Sequence, residues 1–260
     1  MEFKKILVIE SHKTTDKHKE SVKILKDFLD KREISYSWIF YSDISKEYFD
    51  KEDLIITIGG DGVLIRVSHF VKNTLIYPIN SDIKTSEGAM LCENLDYIEN
   101  IFDGKYSIKE IVRGEVVLNG EKIDELFLNE IYIGCENQFH TSRYVLSFDG
   151  KEEEQRSSGI VIATGNGSSA WFASAGGEKF GYDEERLRFI VREAFKGKLF
   201  RSEIVRGEIN DKKFSVLSRR KYGGCVAIDG CVVLPFDDGD EVNVGISKHR
   251  LRVVVGKSKN

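Results

Sequence analysis

The chain has 260 residues and a formal net charge of −4, and 41% of its residues are hydrophobic and 32% charged. This composition is typical of a globular protein with one large domain or two modest ones. The acidic balance argues against a nucleic-acid-binding protein, which needs a basic face, and no apolar run approaches the ~20 residues that span a bilayer. The N-terminus resembles neither a secretory signal nor an import leader. We therefore expect a cytoplasmic protein with no nucleic-acid or membrane partner.

The first third of the chain alternates strand and helix signals. Short apolar runs predict strands at Ile6–Ile9, Tyr36–Tyr41, Leu54–Ile58 and Leu75–Ile79. Helical spacing predicts helices at Asp16–Arg32, after Gly62, and at Leu95–Phe102. Strands that alternate with helices indicate βαβ units around a parallel sheet. We predict an α/β domain over residues 1–104.

From about Tyr106 the pattern changes to short strands separated by turns such as Asn119-Gly120 and Asp149-Gly150. The predicted strands are Val112–Leu118, Phe127–Ile133, Tyr144–Phe148, Gly159–Thr164, Phe214–Leu217, Cys225–Ile228, Glu241–Ile246 and Leu251–Val255. Helical signal is confined to Asn166–Ala175 and, more weakly, Asp183–Phe195. Residues 105–260 are therefore predicted to form a β-rich, antiparallel, β-sandwich-like domain.

A glycine-rich loop follows the most apolar strand of the first domain, in the order Gly59-Gly60-Asp61-Gly62. Glycines let the backbone approach a phosphate closely, and the N-terminus of the following helix offers free N–H groups and a partial positive charge. Phosphate would repel a lone carboxylate there, unless the carboxylate accepts a proton or holds a metal. The simpler alternative is a tight turn in which Asp61 caps the helix.

This loop resembles the signature shared by NAD kinases, diacylglycerol and sphingosine kinases, and phosphofructokinases, in which it handles the phosphates of the donor nucleotide. The family usually has Thr after the last glycine, whereas this chain has Val63. The stretch from Asn80 to Asp82, followed by Ser86-Glu87-Gly88, resembles the mitochondrial-type branch of the NAD kinases. An ordinary exposed loop is the alternative there.

Two segments of the second domain extend the resemblance. Asn129-Glu130 lies inside an apolar strand and resembles the NAD kinase motif that binds ribose hydroxyls; the alternative is a pair that ends a strand. Residues 156–177, which include Thr164 and Trp171, resemble the stretch that lines the dinucleotide site. Trp171 could stack on a base or simply belong to the core. Ser158 stands where most of the family has Asp.

The resemblance implies an NAD kinase, a phosphotransferase that uses ATP and Mg²⁺ to phosphorylate the adenosine ribose 2′-hydroxyl of NAD and form NADP. Asp61 would accept the hydroxyl proton, and Gly59, Gly60 and Gly62 would bind the ATP phosphates. The residues implied for NAD binding are Gly62, Arg66, Asn80, Glu87, Asn129, Glu130, Arg156, Ser158, Thr164, Ser169, Ala170, Trp171 and Ser174. No protein metal ligand is implied, and relatives suggest a homodimer or homotetramer.

Two other functions stay open at this point. A lipid kinase of the diacylglycerol type would share the glycine-rich loop, and a catalytically idle dinucleotide sensor would explain Val63 and Ser158. The late turn Ala227-Ile228-Asp229-Gly230 resembles one common to NAD kinases and favours that family.

Overall fold

The structure is a computed structural model that describes residues 3–49, 51–84, 95–198 and 202–256. The chain forms two compact units: the first ends at Ile111 and resumes at Arg250, and the second is Val112–His249. Within the described ranges, no helix is both long and apolar enough to cross a membrane.

The strands are numbered in chain order. Strands β1 to β9 are Ile6–Glu10, Tyr36–Phe40, Leu54–Gly59, Leu75–Asn80, Tyr106–Ile111, Gly114–Leu118, Glu121–Lys122, Glu130–Cys135 and Ser142–Phe148. Strands β10 to β18 are Lys151–Ser157, Ile160–Ala163, Leu187–Val191, Arg206–Ile209, Phe214–Ser218, Gly224–Ile228, Val232–Pro235, Glu241–Ile246 and Leu251–Gly256. Helices α1 to α4 are Asp16–Lys31, Asp61–Ser68, Ile98–Phe102 and Trp171–Ser174. Short 3-10 turns occupy Tyr41–Asp43, Lys46–Phe49, Leu95–Tyr97 and Gly167–Ser169.

The first unit is built on a six-stranded sheet in the order β2-β1-β3-β4-β18-β5. The first five strands pair in parallel, and β5 pairs antiparallel with β18. All six residues of β3 are buried, which is typical of a central parallel strand covered on both faces. Leu25 and Leu29 of α1 pack with Ile98 and Ile101 of α3 on the strands' apolar side chains. The predicted α/β unit with a parallel sheet is thereby confirmed.

The observed units differ from the predicted division at 104/105 in two places. Strand β5, which lies after residue 104, belongs to the first sheet, and so does β18 at the end of the chain. Val253 of β18 pairs with Ile76 of β4, so the C-terminal strand completes the N-terminal sheet. Local patterns identify β18 as a strand, but its partner is about 180 residues away and leaves no local signal.

The second unit consists of two six-stranded antiparallel sheets. One has the order β10-β9-β14-β17-β6-β7 and the other β13-β12-β11-β8-β15-β16. Inward side chains of both sheets, such as Leu146 and Val216 on one and Ile131 and Ile162 on the other, form a single buried core. This sandwich agrees with the β-rich domain that the sequence predicts.

A smaller apolar cluster covers the outer face of the second of these sheets. Tyr132, Val161 and Ala163 project to this face, because side chains alternate along a strand, and Phe172 of α4 packs against them. Glu130 lies two residues before Tyr132 and therefore shares this face.

Both helices predicted in the second unit need correction. The segment Asp183–Phe195 contains strand β12 instead of a helix, because Leu187, Phe189 and Val191 alternate into the sandwich core. The segment Asn166–Ala175 forms only a 3-10 turn and the four-residue α4. Ala170, with φ −92° and ψ −125°, separates the two and breaks the helical path.

Candidate active site

The glycine-rich loop joins β3 to α2 at the carboxyl edge of the parallel sheet. Gly60 is the N-cap of α2 and Asp61 is its first residue, so Asp61 is not the cap itself. A helix start leaves its first backbone N–H groups without helical partners, and here no side chain caps them. Asp61 is half-buried and Gly62 is exposed. The loop thus combines available amide donors with one carboxylate.

Close packing fixes the path of this loop. A Cβ atom at Gly59 would lie 2.8 Å from Cβ of Ser11 and 2.9 Å from Cγ2 of Val63, so only glycine fits. Val63 is 5% exposed, and its side chain lies under the loop. A Cβ at Gly62, by contrast, would meet nothing within 4 Å.

An open cavity of about 380 Å³ lies beside the loop. The cavity is lined by residues of the first unit, which are Ser11, His12, Lys13, Tyr41, Gly60, Gly62 and Val63. The 11–13 segment follows β1 directly, so the cavity lies at the edge where ligands bind in open parallel sheets.

A buried hydrogen-bond network supports the loop from behind. Ser81, which follows β4, donates its backbone N–H and its hydroxyl to the Gly59 carbonyl, at 3.0 and 3.3 Å. Nδ1 of His18, in the first turn of α1, lies 2.7 Å from the Ser81 hydroxyl. Nε2 of His18 lies 3.3 Å from Glu10, whose second oxygen accepts from Trp38. The network joins three strand ends to the start of α1.

The remaining predicted residues of the first unit are Asn80, Arg66 and Glu87. Asn80 is the ladder partner of Gly59, and its side chain accepts from the Asp82 amide. Arg66 lies in the last turn of α2, where its guanidinium carbon is 6.0 Å from the ring centre of Phe70. Glu87 lies outside the described residues.

In the second unit, the Asn129-Glu130 pair stands where β8 begins. The predicted strand from Phe127 is therefore three residues too long at its start. The backbone N–H groups of Leu128, Asn129 and Glu130 all donate to the Asp229 carboxylate, at 2.7, 2.8 and 2.9 Å. Asp229 belongs to the turn between β15 and β16.

The pKa values of the ionisable groups at and around this pair are strongly shifted. Burial, and secondarily the negative charge of Asp229, raises the pKa of Glu130 to about 7. Burial also raises the pKa of Asp229 to about 6, although its three backbone N–H donors oppose the rise. Burial lowers the pKa of Arg113, which is fully buried and attracted to Asp229, to about 10. Perturbed carboxyl groups of this kind concentrate at functional sites.

The loop after β11 packs against the same segment. Thr164 is fully buried; its hydroxyl donates to the Leu128 carbonyl, and its amide donates to the Asn129 carbonyl at 2.9 Å. The Asn166 amide donates to Oδ1 of Asn129 at 2.8 Å. A Cβ at Gly167 would lie 2.1 Å from the Asn129 carbonyl oxygen, so glycine is required there. Thr164 therefore holds the backbone beside the predicted ribose-binding pair.

Trp171 combines the two alternatives that the sequence leaves open. Its ring stacks on Tyr132, with centres 5.3 Å apart, and the guanidinium of Arg192 lies 5.1 Å from its centre. It is nevertheless half-buried and not part of a closed core. In the adjoining turn, Ser169 and Ser174 are exposed and Ala170 is half-buried.

Arg156 lies in the edge strand β10, and Ser158 follows the last residue of that strand. The Arg156 carbonyl accepts from Phe195, and Ser158 bonds through its backbone to Arg192 and Tyr132. The Tyr132 hydroxyl links Ser158 to the Trp171 stack, because it donates to the Ser158 carbonyl at 3.0 Å. The structure thus forms one group around Asn129 and Glu130 and a second around Trp171, on the same sheet.

Sequence analysis does not identify three supporting residues. His18 and Ser81 carry no motif, and Asp229 is visible only as part of an Asp-Gly turn. His18 and Ser81 lie 63 residues apart in the chain, and Asp229 lies 101 residues from Leu128.

The known proteins that resemble this chain in sequence include NAD kinases and NADH kinases. No family model matches the chain. It is 26% identical to a probable NADH kinase from Oryza sativa over 265 aligned positions, which cover 92% of this chain and 81% of the relative. It is 35% identical to an NAD kinase from Pyrococcus abyssi over 156 positions, which cover 57% of this chain and 54% of the relative.

The fold agrees with these relatives. A crystal structure of an NAD kinase from Archaeoglobus fulgidus in complex with ATP matches with a TM-score of 0.75, at 22% identity, and the match covers 98% of this chain and 94% of that one. The family resemblance is therefore confirmed: the chain is a homologue of the NAD and NADH kinases and has their fold.

Proposed function

We propose that the protein is an NAD kinase, which transfers the γ-phosphoryl group of ATP to the 2′-hydroxyl of the adenosine ribose of NAD. The observation that carries the proposal is the placement of Asp61. This carboxylate is the first residue of a helix whose N-cap is glycine, beside a cavity at the carboxyl edge of a parallel sheet.

In the first unit, Asp61 acts as the general base. It takes the proton from the acceptor hydroxyl as the oxygen attacks phosphorus, and the bond from the γ-phosphorus to the leaving oxygen of ADP breaks. The amides around Gly59, Gly60 and Gly62 bind the ATP phosphates, since a helix N-terminus favours negative charge. Arg66, Asn80 and Glu87 remain predictions for NAD binding.

In the second unit, Asn129 and Glu130 bind ribose hydroxyls. Within the described chain, Oε2 of Glu130 is buried without a hydrogen-bond partner, and a ribose hydroxyl would supply the missing donor. Trp171 and the exposed Ser169 and Ser174 contact the dinucleotide farther along the sheet. Arg156, Ser158, Thr164 and Ala170 complete the predicted set, although the Thr164 hydroxyl already bonds to the Leu128 carbonyl.

Mg²⁺ enters the proposal as part of the MgATP substrate. The described residues contain no group of three or more His, Cys, Asp or Glu side chains that could hold a metal. The ion is proposed to be held mainly by substrate phosphates and water. When bound, Mg²⁺ neutralises charge on the phosphates during transfer.

Four finer properties belong to the proposal as well. The acceptor is NAD, with NADH as the alternative that the rice relative raises. A homodimer or homotetramer, checked by light scattering, and a cytoplasmic location, checked by fractionation, stay predictions, as does the affinity with the mitochondrial-type branch.

The test is a coupled assay for NADP formation from NAD, ATP and Mg²⁺. NADH and polyphosphate replace NAD and ATP in parallel reactions, to define the acceptor and the donor. We expect NADP to form from NAD and ATP. If the protein binds NAD but forms no phosphorylated product with any pair, the kinase proposal is wrong and the sensor alternative replaces it.

A further inference from the structure

The segment Leu128–Glu130 leads into β8, and one carboxylate binds its backbone N–H groups. All three of its backbone N–H groups donate to Asp229, two of them to Oδ1 and that of Leu128 to Oδ2. Hydrogen bonds to an ionised acceptor are roughly twice as strong as neutral ones. The conformation of this segment therefore depends on the charge and the place of one side chain.

The carbonyl groups of the segment are committed as well. Those of Leu128 and Asn129 accept from Thr164, and that of Glu130 accepts from the Asp229 amide at 2.9 Å. Because the protein satisfies every backbone polar group of the segment, the unsatisfied polar capacity lies in side chains. Oε2 of Glu130 is buried and unpartnered within the described residues.

The turn that carries Asp229 is conformationally special. Asp229 and Gly230 have φ angles of +49° and +64°, in the left-handed region. Behind the turn lies the fully buried Arg113, which attracts Asp229 and donates to the His249 carbonyl at 2.9 Å. The carboxylate is thus fixed by its own backbone and by a buried positive charge.

We infer that Asp229 is a positioning residue for acceptor binding, which sets the backbone of residues 128–130 so that Asn129 and Glu130 face the acceptor ribose. The inference rests on the proposed function and extends it to a residue that does not touch the substrate. Asp229 acts through the three amides and takes no part in proton transfer.

The direct test is Asp229→Asn. The amide side chain can still accept at one oxygen, but its NH₂ group faces the Leu128 N–H, so one hydrogen bond is replaced by two opposed donors. We expect hydrogen exchange at residues 128–130 to accelerate. We also expect the dissociation constant for NAD, measured without ATP, to rise about tenfold, while the KM for ATP changes less than twofold.

The chain supplies a matched control in Asp149→Asn. Asp149-Gly150 is also an Asp-Gly turn, with φ angles of +53° and +77°, but its carboxylate accepts a hydrogen bond from the Lys212 side chain at the surface. We expect this variant to bind NAD as the wild type does.

A second pair tests the same idea if Asp229→Asn does not fold. Gly230→Ala and Gly150→Ala place a methyl group in open space at positive φ, so both incur a similar backbone cost of about 1 kcal/mol. Only at Gly230 would a backbone adjustment move the carboxylate that binds residues 128–130. We expect about threefold weaker NAD binding from Gly230→Ala and no change from Gly150→Ala.

The outcomes separate this inference from the proposed function. If the wild type neither binds nor phosphorylates NAD, the proposed function fails. If the wild type does both, but Gly230→Ala and a folded Asp229→Asn match it in NAD affinity, the inference is wrong. An equal loss of affinity for NAD and ATP would also overturn it, because a merely structural role predicts that result.

Discussion

The two loops that carry the candidate site are held in different ways. The loop at Gly59 is fixed by close packing against Ser11 and Val63 and by neutral hydrogen bonds from Ser81. The segment 128–130 is fixed by the Asp229 carboxylate, in a region where burial shifts several pKa values. A loop that presents its amides to phosphate has to be sterically exact, whereas a segment that presents a carboxyl group to ribose needs controlled charge. We therefore expect the first loop to be sensitive to volume and the second to charge.

The largest effect in this comparison is expected from Gly59→Ala. The new methyl group would overlap Ser11 and Val63, and the central strand leaves little room for adjustment. We expect a loss of about 3 kcal/mol in the free energy of unfolding, measured by urea denaturation, together with a large loss of ATP use. Gly62→Ala is the stability control, because its Cβ meets no atom within 4 Å. Equal stability of the two variants would contradict the packing account.

The pH dependence at Glu130 should be the next largest effect. Its pKa is about 7 in the folded protein, against an ordinary value of 4.5 for a glutamate side chain, so the folded state holds the proton more tightly than the unfolded state. Stability from this group is present at low pH and is lost as pH rises from about 5 to 8, on the order of 2 kcal/mol after allowance for screening. Glu130→Gln should reduce the fall of the unfolding free energy across this window, and the fall that remains comes from Asp229, whose pKa burial raises to about 6.

The affinity for NAD should change with pH in the opposite direction to the stability. A carboxylate that accepts ribose hydroxyls has to be ionised, so NAD affinity of the wild type should rise between pH 6 and 8. Glu130→Gln should remove that rise, and the exposed Glu154→Gln should keep it. Calorimetric titrations with NAD at three pH values measure it. A rise that persists in Glu130→Gln would show that another group controls binding.

The smallest effect is expected from Ser81→Ala. The variant removes the hydroxyl that links His18 to the Gly59 carbonyl but keeps the backbone bond to the same oxygen. We expect a loss of about 1 kcal/mol in unfolding free energy, with a modest increase in the KM for ATP. The exposed Ser37→Ala is the control. An increase in the KM for NAD alone would contradict a role in the phosphate loop.

Local sequence patterns are sufficient for elements whose own residues carry the signal. Strand β3 is a continuous apolar run, and it ends at Gly59, where close packing leaves no room for a side chain. Every residue of strand β10, Lys151–Ser157, is polar, so its sequence predicts no strand. The strand forms because it pairs with β9. In β12, charged residues around a short apolar run give a spacing that resembles that of a helix. The segment forms a strand because its alternate apolar side chains pack into the sandwich core.

The candidate site shows the same limit. Asn129, Glu130 and Thr164 are found through the motifs that contain them, and the structure brings these three residues together. The role of Asp229 depends on hydrogen bonds that span about 100 residues, and that of His18 on a bond that spans 63. Contacts between distant segments are set by the fold, and a local pattern does not contain them.

The central claim is that Asp61 performs proton transfer and does not merely begin a helix. Asp61→Asn and Asp16→Asn both remove a carboxylate from the first position of a helix, so both lose the same favourable interaction with the helix dipole. The decisive measurement is kcat for NADP formation in the two variants, beside the dissociation constant for NAD. We expect Asp61→Asn to lower kcat by at least about 100-fold with NAD binding largely intact, and Asp16→Asn to retain wild-type turnover. Full activity in Asp61→Asn would contradict the assignment.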